Sequence, residues 1–154
     1  MGNPILGDDG VGWRIAAEVE SQWGKLEGSE CVRFENLSVG GLKLMELLQG
    51  CQYAVVADGL VGSGKRLGEV LCLQLEDLAR ISHTHANSAH DVSLWEALQI
   101  GHKLGAQLPE RIWLVAVCIQ EERTFSEELS PEVAEAIPNA VHHVCELLHD
   151  WNQC

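Results

Sequence analysis

Apolar and polar positions along this chain follow two alternating rhythms, and the rhythm changes at glycines. From Gly10 to about Trp23, Val11, Ile15, Ala16 and Val19 recur at helical spacing, and Gly24 suits the end of that helix. "CVRFENL" (31–37) alternates as a strand does, and "GLKLMELLQG" (41–50) is a short helix that Gly50 can terminate. "YAVVADG" (53–59) is a nearly all-apolar run closing on Asp58 and Gly59, the pattern of a parallel strand buried on both faces. "GEVLCLQL" (68–75) predicts another strand, "VSLWEALQIGHKLG" (92–105) an amphipathic helix, and "RIWLVAVCI" (111–119) a further buried strand. A last helix is expected from Pro131 to about Trp151, with Ser130 as its N-cap and proline at its first position.

Helices and buried strands in alternation predict an α/β fold, a three-layer αβα sandwich around a mostly parallel sheet, as a single domain over residues 1–154. Such sheets gather ligands at the carboxyl ends of their strands, which is where Asp58 falls. One element is conspicuously absent. A buried strand normally precedes a Gly-rich turn that opens the first helix, yet only Met1 stands ahead of Gly2 and Asn3. The first, central strand is therefore expected to be missing from this chain and the natural start to lie upstream, since neighbouring strands would otherwise keep unpaired backbone groups.

Composition narrows the classes of function. Apolar residues make up 46% and charged residues 21% of the 154, as in a globular domain and unlike a disordered or fibrous chain. The formal net charge is −13, from 23 acidic and 10 basic side chains, and no Lys/Arg cluster makes a phosphate-tracking patch, so no nucleic-acid partner is expected. No run approaches the roughly 18 to 20 apolar residues of a membrane span, and no basic stretch with an apolar signal segment opens the chain. No membrane partner is expected, and the expected location is cytoplasmic. Six cysteines stand singly without a C-x-x-C pair, which reads as buried thiols rather than a zinc site.

Three places carry acidic or imidazole groups where loops should converge: Asp8 and Asp9 in the first turn, Asp58, and the loop "HTHANSAHD" with His83, His85, His90 and Asp91. Two carboxylates and a histidine make a divalent-metal site suited to nickel, zinc or iron, and the residues alone leave that choice open. Each piece also has a structural reading. Asp-Asp-Gly before a helix serves as an N-cap arrangement, and Asp58-Gly59 serves as a turn. His102, His142, His143 and His149 sit on helical stretches as surface residues, and His83 and His85 fit solvated loop positions as readily as ligands. His90 directly precedes a helical pattern, with Asp91 placed to cap it. No G-x-S-x-G elbow supports a serine nucleophile, and "VGSGKR" (61–66) lacks the phosphate-loop pattern and precedes a strand, so it is read as a basic surface turn.

Taken in order, "GNPILGDDGVG", "VVADG", "SAHDVSLWEAL", "LVAVCIQEE" and "LSPEVAEAIPNAV" resemble the maturation endopeptidases of nickel-iron hydrogenases over most of the chain. The resemblance implies that Asp9, Asp58 and His90 bind nickel as both metal ligands and catalytic residues, with Asp8 orienting or capping beside them. It implies that the nickel is supplied by the substrate, the precursor of a hydrogenase large subunit, with no organic cofactor, and that the enzyme removes the precursor's carboxyl-terminal extension. Family members often carry an acid before the paired glycines of the segment seen here as "LSVGG"; Val39 occupies that position, and no role is assigned there. A non-proteolytic nickel-binding chaperone or scaffold for the same precursor is the alternative, and a generic metallohydrolase with its own metal the third reading.

Overall fold

The computed structural model describes residues 1–24, 31–38, 41–77, 89–121 and 125–152, with the helical course alone for 89–94 and 152. Among the described residues the sheet has three strands, β1 (Tyr53–Val61), β2 (Val70–Gln74) and β3 (Arg111–Ile119), in the order β1-β3-β2. β1 and β3 run parallel from Tyr53 opposite Arg111 to Val61 opposite Ile119, which sets Asp58 beside Ala116. The turn after Val61 crosses the end of β3 and returns β2 antiparallel to it, with Gly68 N–H donating to the Cys118 carbonyl at 2.8 Å. The Gly-rich stretch 61–66 lies in this turn, where Lys65 pairs with Glu69 at 3.4 Å, as a basic surface turn should.

Strand periodicity sorts the apolar side chains into two layers. Val115, Val117 and Ile119 face α1 (Val11–Trp23), while Leu114 and Ala116 face the layer of α2 (Leu42–Leu48) and α3 (Ala89–Lys103). α4 (Pro131–Asn152) lies beside α1, burying Val133, Ala136, Ala140 and Val144 in the same cluster as Ile15, Val19 and Trp23. The αβα sandwich predicted from the alternation is thus the fold observed. β3 has the predicted bounds, β1 runs two residues further, and α1 is preceded by a 3-10 turn (Gly7–Gly10) rather than starting at Gly10.

One prediction fails. Residues 32–37 are irregular, although Val32 and Phe34 pack inward as the alternation requires. A strand exists only as part of a ladder, and among the described residues this segment pairs with no other; Arg33 instead reaches the Leu47 carbonyl at 2.6 Å. Between this segment and β1 lies a cavity of about 520 Å³. Among the described residues, no helix is long and apolar enough to cross a membrane.

Candidate active site

The acidic turn forms because the chain must reverse between Met1 and α1 in very few residues. Gly2 has φ +103°, a region closed to most side chains, and a Cβ there would strike the Asp9 carbonyl and lie 3.6 Å from the Asp58 carboxylate. Gly2 therefore lets the backbone pass between the Asp9 main chain and the Asp58 carboxylate. Asp9 is half-buried, and its Oδ2 accepts a hydrogen bond from the Asn3 N–H at 2.7 Å. Asp58 is 8% exposed and its Oδ1 accepts from the Gly59 N–H at 3.0 Å; it was expected to close its strand, but β1 continues past it to Val61.

The amino nitrogen of Met1 lies beside this cluster and donates to the Ala57 carbonyl. Burial lowers its pKa from the ordinary 8.0, while the Asp58 and Asp9 carboxylates pull it back upward; burial is the larger effect. Sequence reasoning did not place Met1 against Ala57, because a linear pattern does not show which distant strand a segment meets. The spacing G-x-G did carry a signal. Gly12 sits under the same junction, and a Cβ on it would meet Ala57 O and the Met1 backbone, with Met1 N at 2.6 Å.

Asp8 does something different from its neighbour. It is 4% exposed, and its two oxygens accept from the Ser130 N–H at 2.7 Å and the Ser130 hydroxyl at 2.8 Å. The carboxylate thereby sits at the amino end of α4, where the helix dipole favours negative charge. Ser130 was expected to cap its own helix; its hydroxyl is given to Asp8 instead. Around this contact, Leu6 and Ser126 form a parallel bridge, with Gly7 N–H donating to Ser126 O at 2.6 Å and Ser126 N–H to Ile5 O at 3.0 Å.

Of the predicted site residues, Asp9 and Asp58 come together around Met1 and Gly2, and Asp8 braces the turn. His90 falls in the first turn of α3, with its side chain outside the described part, and His83 and His85 lie outside the described residues. Among the described residues no group of three or more His, Cys, Asp or Glu is placed to hold a metal ion; Asp9 and Asp58 supply two carboxylate donors that suit a borderline divalent cation once an imidazole joins them. His102, His142 and His149 are exposed and His143 is half-buried, on α3 and α4, as expected. Cys72, Cys118 and Cys145 have thiol pKa values pushed up by burial, in keeping with core packing rather than nucleophilic chemistry.

Comparison with known proteins places this geometry in context. A family model described as "HycI: Hydrogenase maturation protease" matches residues 20–147. The chain is 27% identical over 146 residues to the protein FrxA of Pyrococcus furiosus, covering 94% of this chain and 98% of that one. Its fold is similar to the hydrogenase maturating endopeptidase HybD of Escherichia coli, with TM-score 0.72 and 23% identity over 97% of this chain and 88% of that one. It is similar too to the [NiFe] hydrogenase maturation protease HybD of Thermococcus kodakarensis, with TM-score 0.67 and 22% identity over 95% and 93% of the respective chains.

Proposed function

Because the chain belongs to the hydrogenase maturation protease family, we propose that it is the endopeptidase that removes the carboxyl-terminal extension from the nickel-loaded precursor of a nickel-iron hydrogenase large subunit. The observation that supports this reading is that the Asp9 and Asp58 carboxylates both act on the amino nitrogen of Met1, beside a buried strand. Two carboxylates at one junction repel each other and invite a cation. With His90 they offer oxygen and nitrogen donors to a nickel ion that arrives on the precursor, so the substrate brings its own recognition element. Three such donors make an open, weak site, one that a cation bound by the substrate as well can still occupy.

Chemically, the anchored nickel holds the adjoining peptide bond at the site, and positioning of that kind supplies much of a rate enhancement. Asp9 keeps its orientation through the Asn3 N–H, and Asp58 through the Gly59 N–H. Asp8 acts through the fold, holding the turn against α4.

The test uses nickel-loaded and nickel-free precursor, read by mass spectrometry. Loss of the extension from the loaded precursor alone, abolished by Asp9→Ala, Asp58→Ala or His90→Ala, is the expected result. Binding of the loaded precursor without shortening, by a protein shown to be folded, would replace this reading with a nickel-recognising chaperone.

A further inference from the structure

Among the described residues, five large apolar side chains are exposed, and two of them, Ile5 and Phe125, are brought together by the fold from distant parts of the sequence. Leu6 and Ser126 pair in parallel. Side chains alternate along paired chains, so Ile5 and Phe125 stand side by side on the face away from Leu6 and Ser126, at a spacing of roughly 5 Å. Leu6 and Ser126 are half-buried, whereas Phe125 is 78% and Ile5 46% exposed. A single exposed apolar side chain is ordinary, so what decides is the junction that holds this pair. The Ile5 N–H donates to Asn3 Oδ1 at 3.2 Å, the Leu6 N–H to Asn3 O at 3.1 Å and the Gly7 N–H to Ser126 O at 2.6 Å. The Ile5 carbonyl accepts from the Ser126 N–H at 3.0 Å, and the Leu6 carbonyl from the Asp9 N–H at 3.2 Å. With this backbone engaged, a partner arriving here meets side chains rather than a strand edge. The Ser126 hydroxyl also folds the next residues back, exchanging bonds with the Glu128 N–H at 3.0 Å and carbonyl at 3.3 Å. Phe125 is thus carried on a braced turn, and covering it costs little further ordering.

The same bonds lead to the acids. Asn3, whose side chain holds the Ile5 N–H, gives its own N–H to Asp9 Oδ2 at 2.7 Å. The turn closed by the Asp9 N–H on Leu6 O keeps those two residues within about 7 Å of each other. The apolar pair therefore lies on the order of 10 Å from the Asp9 carboxylate, a span of about three extended residues.

We propose that Ile5 and Phe125 form a docking contact for an apolar side chain of the nickel-loaded precursor, about three residues along its chain from the point held at Asp9 and Asp58. The inference rests on the endopeptidase reading above, which brings that partner to Asp9. Continuity with the acidic turn selects the occupant: a chain anchored at Asp9 passes the pair within a few residues, and covering Phe125 then adds affinity by the burial of apolar surface. A second copy of this chain is the poorer fit, because it would bring its own net charge of −13 against the same acidic turn.

The experiment compares the parent with Phe125→Ser, Phe125→Leu and Ile5→Ser, following both cleavage of the nickel-loaded precursor and direct binding to it by biolayer interferometry. Because Phe125 is exposed, its two variants should unfold within about 2 °C of the parent. Phe125→Ser should raise both KM and Kd about tenfold or more with kcat within about twofold, the mark of lost docking rather than lost chemistry. Ile5→Ser should raise them about threefold, and Phe125→Leu should keep most of the parent's affinity. On an Asp9→Ala background, Phe125→Ser should weaken binding by the same factor, so the contact is measured apart from cleavage. Equal KM and Kd in the parent and Phe125→Ser would overturn the proposal and leave the endopeptidase standing. A parent that binds the loaded precursor without shortening it would overturn the endopeptidase reading, and the binding comparison would still decide the contact. A parent that neither binds nor cleaves would overturn both. A parent dimer that Phe125→Ser dissociates, seen by sedimentation, would overturn the proposal by giving the pair to self-association.

Discussion

Replacing Asp8 by alanine isolates what holds the acidic turn in place. The substitution removes the acceptor of two bonds at 2.7 and 2.8 Å, leaving the Ser130 N–H and hydroxyl without their partner. Bonds to a charged acceptor contribute about 1.5–3 kcal/mol each. Ser130 is half-buried, so water can replace part of the loss and the lower value applies, about 3 kcal/mol for the pair. Removing a buried charge returns some desolvation free energy, which brings the expected cost to about 2–3 kcal/mol. At about 2–4 °C per kcal/mol for a domain near this size, the midpoint should fall by about 4–12 °C. Asp8→Asn keeps an acceptor for the N–H and loses only the charge assistance, so its cost should be about 1 kcal/mol. Denaturant melts of Asp8→Ala, Ser130→Ala and the double variant complete a cycle. The coupling should be about 1.5 kcal/mol, the share of the hydroxyl bond. If Asp8→Ala lies within about 0.5 kcal/mol of the parent, or the two substitutions are additive, the bracing role assigned to Asp8 is wrong.

Other expectations follow from neighbouring observations. Gly12→Ala should destabilise by about 1–3 kcal/mol or more in thermal melts, because the added methyl meets the backbone of Ala57 and Met1; at an open helical position the same change would stabilise by about 1 kcal/mol. Iodoacetamide at neutral pH should label exposed Cys31 in the native protein well before Cys72, Cys118 and Cys145, as peptide mapping would show. Because burial raises those three thiols, unfolded thiols ionise first; their contribution is intact below about pH 8.5 and is lost as pH rises beyond it, so denaturation midpoints should fall on the alkaline side. Asp9→Asn should abolish processing of the nickel-loaded precursor with little change in stability, since the half-buried amide still accepts from Asn3 N–H; a loss of more than about 2 kcal/mol would assign Asp9 a structural role instead.

Much of this architecture could be read from periodicity. β3 has the predicted limits because an apolar run bounded by polar residues has one way to be buried, and α4 starts at Pro131 because proline and serine mark helix starts. Asp58 was legible as a polar residue in an apolar strand, though the strand it was expected to close runs on to Val61. Residues 32–37 misled for a physical reason: alternation tells which side chains turn inward, and says nothing of whether a neighbour stands within ladder reach. The Asp8–Ser130 contact and the Met1 ammonium were hidden because each joins positions far apart in the chain, 122 and 56 residues respectively. Each was seen beforehand only for its local role, Asp8 as a helix start and Ser130 as another.

That separation sets a timetable. Closing a loop of 122 residues carries an entropic cost of about 4 kcal/mol beyond the constant term, so the contact forms only after nearer ones have gathered the chain. Ser126 and Ser130 close on Gly7 and Asp8, and Arg14 reaches the Glu127 carbonyl at 3.1 Å, all late partners for residues made much earlier. During vectorial synthesis Asp8 emerges 122 residues ahead of Ser130, so the acidic turn is set in position late. A nascent chain therefore carries Asp8 long before it carries Ser130, and the acidic turn is braced only once the helix that begins at Pro131 has been made.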